Sequence, residues 1–181
     1  MSAIARTIPA TMHTRMGSRM GRMRRKSLLA LAVLWVFTAL PADAQLDRVV
    51  AEAVEGDIDC LPCAVTIEFS LKRVEGVDRI SVSMGKQMIA ITFKEGARFT
   101  PDKYRDAIAK AEVRVQAFNV AMRGKAEKDG EKIYFTAGQN RFLVPSPPKD
   151  LPLGVAMSIM AVVDDSSEPY AITSVSDVKP L

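Results

Sequence analysis

The only two cysteines of the chain stand as Cys60-Leu61-Pro62-Cys63. Two thiols at this spacing can capture a soft metal ion or close a disulfide. They lie between a strand-like apolar run and a run of helical periodicity, which puts them at the start of an expected helix. Unsatisfied N–H groups and the positive end of the helix dipole favour thiolate over thiol there. Thiolates select Cu(I), Hg(II) or, with more ligands, Zn(II) and Cd(II). Zinc wants four ligands, so two sulfurs with no histidine nearby suit a linear, two-coordinate ion better. Cu(I) and Hg(II) lead on that chemistry.

The N-terminus sets the expected compartment. Arg22, Arg24, Arg25 and Lys26 precede an apolar stretch from Leu28 to Leu40, followed by Pro41 and the small-residue pattern Ala42-Asp43-Ala44. This reads as a secretory signal peptide over residues 1–44, cut before Gln45. The stretch is shorter than the roughly 20 residues that cross a bilayer, so no membrane anchor is expected after cleavage. The segment ahead of the arginines is long for such a leader, and Met20 or Met23 would begin one of ordinary length. The paired arginines also raise the twin-arginine route, although Ser27 stands where a Phe would strengthen it.

Removing the leader reverses the electrostatics. The full chain carries 25 Lys and Arg against 21 Asp and Glu. The leader holds seven of those cations and Asp43, which leaves 18 against 20. A slightly acidic exported protein has no electrostatic footprint for nucleic acid. His13 and Trp35, each the only residue of its type, leave with the leader. Without a mature histidine there is no His-based zinc site and no Ser-His or Cys-His arrangement. About 137 residues remain, enough for one domain or two small ones.

Two are expected, at 45–117 and 118–181. In the first, Val49 to Ile58 is strand-like. From Leu61 to Val74, Cys63, Ile67, Leu71 and Val74 share one helical face, with Gly76 beyond it. Ile80, Val82 and Met84 alternate, Gly85-Lys86 turns, and Ile89, Ile91 and Phe93 alternate again, which makes a hairpin. Thr100 offers an N-cap with Pro101 at the first helical position, and Tyr104, Ala107, Ile108 and Ala111 form an apolar stripe. Val113 to Val120 supplies a last strand. The order βαββαβ predicts a ferredoxin-like α+β unit.

Cys60-x-x-Cys63, Ile67-Glu68-x-x-Leu71, Gly76-Val77, Val82, Ile89-x-Ile91-x-Phe93 and Ala107-Ile108 together resemble the heavy-metal-associated domain family. That family includes copper chaperones, N-terminal modules of metal-transporting ATPases and an exported mercury-binding protein. The resemblance covers about residues 50–117. It implies one soft ion held by Cys60 and Cys63 in the loop between the first strand and first helix, and a metal-transporting or metal-receiving protein as partner.

The chain departs from the family in places. Asp57-Ile58 stands where members carry Gly-Met, with Ile58 expected as a buried plug beneath the loop. Asp57 and Asp59 set negative charge beside the thiols. Glu112-Val113 stands where members show Gly and an aromatic residue, so that loop supplies no lysine or aromatic shield. Met84 and Met88 flank a hairpin turn expected at the end far from the metal loop, and are read as core or surface fillers rather than ligands.

Redox chemistry is the class-level rival. Pro62 ahead of the second cysteine is shared with thioredoxin-like sites. Against it, no aromatic precedes Cys60 and the element order lacks the thioredoxin crossover. A purely structural bridge is a poor use of this spacing, because it closes a very short loop.

From Phe118 onward the period is that of strands. The runs are Phe118 to Glu127, Lys132 to Thr136, Arg141 to Val144, Val155 to Val163 and Tyr170 to Val175, separated by turn-formers. Five short strands predict a small closed barrel of the OB type, with Gly124 suited to a bulge in its first strand. Tyr134, Phe135 and Phe142 lie where such barrels bind nucleic acid, but alternating aromatics are core residues by default. No acid–base pair, phosphate loop or nucleophile motif is present, so no enzyme is expected. The expectation is an exported, periplasmic soft-metal carrier in which the barrel docks or stabilises, with an exported thiol–disulfide protein as the alternative.

Overall fold

The computed structural model describes residues 44–181. The expected leader, apart from Ala44, lies outside the described residues. The elements run β1 (Gln45–Ala53), α1 (Leu61–Leu71), β2 (Val77–Ser83), a 3-10 turn (Met84–Lys86), β3 (Met88–Phe93), α2 (Pro101–Ala109), β4 (Val115–Asp129), β5 (Lys132–Ala137), β6 (Asn140–Leu143), β7 (Ala156–Asp164) and β8 (Ala171–Pro180).

The first six regular elements give the expected βαββαβ order, with antiparallel strands ordered β2-β3-β1-β4. Alternation explains the core. Val49 and Ala51 of β1, and Ile89 and Ile91 of β3, face inward and are fully buried. Ile67 and Leu71 of α1 with Tyr104 and Ile108 of α2 cover them. Two expected limits shift. β1 begins at Gln45 and ends at Ala53, so Val54 to Asp59 form a loop. α1 ends at Leu71, and Val74 packs on the core from the following turn.

The remaining strands close a five-stranded barrel in the order β4-β5-β6-β8-β7, with β7 returning to β4. The closure between β6 and β8 is parallel and rests on Leu143 opposite Ala171. Phe135 and Phe142 are buried inside, whereas Tyr134 lies under the Arg141 guanidinium, 3.8 Å from its ring centroid.

The barrel and the βαββαβ unit share a strand. β4 pairs with β1 from Val115 to Arg123 on one edge, with β5 from Lys125 to Asp129 on that same edge, and with β7 from Phe118 to Lys125 on the other. The expected strands Val113–Val120 and Phe118–Glu127 are therefore one strand, and the expected division at 117/118 falls inside it. Phe118, Val120 and Met122 belong to a single hydrophobic cluster that extends through both halves. At Gly124, where β4 changes neighbours, a Cβ would stand 2.0 Å from the Thr136 carbonyl oxygen. Close approach, rather than the expected bulge, fixes glycine there; the register shift in this region is on β1, between Leu46 and Arg48.

Three further contacts lock the halves. Phe99 packs its ring against Tyr104, Phe118, Phe142 and Tyr170. The Asn140 side chain accepts from Phe99 N at 2.7 Å and donates to the carbonyls of Ala97 and Ala137 at 3.1 Å. Arg105 of α2 makes a two-pronged bond to Asp165 in the loop before β8, at 2.6 and 2.8 Å.

Candidate metal centre

Cys60 is the N-cap of α1. Its extended backbone (φ −127°, ψ 143°) turns the chain into the helix, and its sulfur accepts from Cys63 N at 3.0 Å. Pro62 sits in the first turn, where a missing N–H costs nothing. The two sulfurs are joined at 2.08 Å with their Cα atoms 5.2 Å apart, so the structure shows the oxidised pair. Both cysteines are half-buried, and Asp59 beside them is exposed. One carboxylate oxygen of Asp59 and the two sulfurs lie within 4.8 Å of one another. Reduced, the pair would offer two soft donors and one hard donor on a single open loop, a set that suits a soft ion and falls short of tetrahedral zinc.

The loop is braced from two sides. Ile58, 1% exposed, is the apolar plug beneath it. From the hairpin, Gln87 adopts a left-handed backbone (φ 52°) and turns its amide onto the loop. Its Oε1 accepts from Ile58 N at 2.9 Å, and its Nε2 donates to Ile58 O at 3.1 Å and Met84 O at 2.6 Å. From the loop just ahead of β4, Arg114 meets Asp57 in a two-pronged ion pair at 2.9 and 3.0 Å, and its own N–H adds a bond to the same carboxylate at 2.9 Å. The Arg114 guanidinium holds the Asp57 carboxyl below the usual range. Much of the charge expected beside the thiols is thus committed to Arg114, leaving Asp59 as the exposed carboxylate next to the sulfurs.

This geometry overturns the expected position of the hairpin. Its turn lies at the thiol end, because β2 and β3 point their shared turn toward the loop that follows β1. Gln87 and Arg114 were not legible as site residues: their partners lie 29 and 57 positions away. The outer face of α1 is a second feature that the core pattern hid. Leu61, Val65 and Phe69 are all more than half exposed, one helical turn apart, with the Arg73 guanidinium 4.1 Å above the Phe69 ring centroid.

One crevice lies elsewhere among the described residues. About 800 Å³ in volume, it opens at the opposite end, between Lys94–Lys103 and the barrel residues Gln139, Glu168 and Tyr170. Its walls carry mixed charge and no sulfur, so it offers nothing to a soft ion.

No family model matches the chain, and no curated protein matches it. Among solved structures, a copper binding domain from HMA7, a P-type ATPase, is 18% identical, covering 39% of this chain and 92% of that one with a TM-score of 0.34. A structure described as "Crosstalk between Cu(I) and Zn(II) homeostasis" is 26% identical, covering 40% and 97%, with a TM-score of 0.32. Strand order and register define the fold of this chain, and the cysteine pair at the start of its first helix defines the candidate site.

Proposed function

We propose that this protein is an exported, periplasmic carrier that captures a soft metal ion, Cu(I) or Hg(II), between Cys60 and Cys63 and passes it to a metal-transporting or metal-receiving protein. One observation carries the reading: two sulfurs and one carboxylate converge within 4.8 Å on an open loop at a helix start. Two electrons and two protons from a dithiol reductant convert the disulfide to two thiols. Binding of the ion then releases the two thiol protons. Half-buried sulfurs stay open to attack by a partner's thiolates, which is what transfer requires. The barrel, whose strand order and parallel closure support an OB-type assignment, serves as the frame that presents the loop.

The test is an anaerobic Cu(I) competition titration of the reduced chain from Gln45 onward, beside the Cys60→Ser/Cys63→Ser double variant. One tightly held equivalent, lost in the variant, is expected. Equal copper retention by both proteins would refute the reading.

The bonded state of the pair favours a second reading, an exported thiol–disulfide protein using the same sulfurs. Failure to bind copper, together with rapid dithiol exchange with a substrate disulfide, would establish it instead.

A further inference from the structure

We propose that the Met84 thioether is a third soft donor to Cu(I) at the Cys60–Cys63 site, an inference that rests on the metal-carrier reading. The argument starts from chain direction. α1 packs on β2, and the short turn through Lys72–Gly76 makes the two elements run in opposite directions. Eleven helical residues span about 16 Å at roughly 1.5 Å each, the length of about five strand residues. The start of α1 is therefore level with the last residues of β2, and Met84 follows directly.

Ile80 and Val82 of β2 pack on the core beneath α1, and Met84 opens the 3-10 turn directly after that strand. Hydrogen bonds give the closeness, because one nitrogen, Gln87 Nε2, donates both to Met84 O and to Ile58 O, two residues before Cys60. Met84 is 39% exposed, so its unbranched side chain has room to swing. Thioethers, like thiolates, select Cu(I).

Met88 is a built-in control. It is equally exposed and belongs to the same hairpin, but it alternates with the buried Ile89 and stands opposite Glu52 on the uncovered sheet face. A third sulfur favours Cu(I) over an ion satisfied by two thiolates, so Met84 would bias the site away from Hg(II).

The experiment uses the reduced chain from Gln45 onward, labelled with selenomethionine and loaded with one equivalent of Cu(I). X-ray absorption at the selenium edge should show a copper neighbour that disappears in Met84→Leu and persists in Met88→Leu. In unlabelled protein, Met84→Leu should weaken Cu(I) roughly tenfold or more and leave Hg(II) affinity unchanged. Copper held by sulfur with no selenium neighbour would overturn the Met84 proposal while leaving the cysteine site intact. Failure of every variant to hold copper would overturn both.

Discussion

The two ends of the βαββαβ unit are built to different specifications. At the barrel end, Phe99 is 5% exposed and touches four other rings, and the 7% exposed Asn140 makes three hydrogen bonds, two of them across the junction. At the thiol end, the side-chain braces of the loop are one glutamine and an ion pair whose Arg114 side chain is 73% exposed. Buried rings and fully paired amides strengthen in a low-dielectric core, whereas exposed ion pairs are weakened by water. Cohesion is thus concentrated where the halves fuse, and freedom is left at the cysteine loop, where the proposed carrier would take up and release its ion.

Truncation gives the largest expected effect. A chain ending at Ala117 lacks Phe118, Val120 and Met122, all fully buried, and no cooperative thermal transition should be seen by circular dichroism. A sharp transition in that fragment would break the comparison, since the barrel would then be an appendage. Next comes Phe99→Ala, which should cost about 3–5 kcal/mol in denaturant unfolding. Asn140→Ala strands Phe99 N and two carbonyls, and should cost about 1–3 kcal/mol without altering Cu(I) affinity. A change in metal affinity there would show that the two ends are coupled.

Effects on stability shrink at the thiol end while effects on the loop grow. Gln87→Ala should barely move the melting temperature, yet amide exchange at Ile58 should rise and copper should leave on the order of tenfold faster, read by stopped-flow transfer to a chelator. Unchanged exchange and release would mean the amide brace is idle. The smallest effect concerns acid. Because Arg114 lowers the folded pKa of Asp57, this brace is fully present above the ordinary carboxylate value of about 3.9. It is lost as pH falls through the lower folded value. Carboxyl NMR titration should find the Asp57 midpoint below the ordinary value, and Arg114→Ala should raise it. An Asp57 midpoint indifferent to Arg114→Ala would contradict the pairing.

How much of this was legible in the sequence depended on range. The cysteine pair, the Thr100-Pro101 helix start, the hairpin and the five strand runs of the barrel all follow from local spacing. Thr100 nevertheless makes no side-chain cap bond. The shared strand was not legible, because alternation from Phe118 to Ala126 continues unbroken while its neighbour changes from β1 to β5, and period alone does not name a partner. Gly124 marks that change, but a close approach to Thr136 is a tertiary fact. Gln87 and Arg114 carry no local signature of their roles. Nor does the α1 pattern distinguish its two apolar stripes, Ile67-Leu71 inward and Leu61-Val65-Phe69 outward.

The most direct test of the account is a Cu(I) titration of the reduced, 15N-labelled chain from Gln45 onward, followed by NMR. The account predicts saturation at one equivalent, with shifts confined to Asp57–Val65, Met84–Gln87 and Arg114, and silence around Phe99, Asn140 and the barrel. No shifts at Cys60 and Cys63, or shifts centred on the crevice at Arg98 and Tyr170, would contradict it.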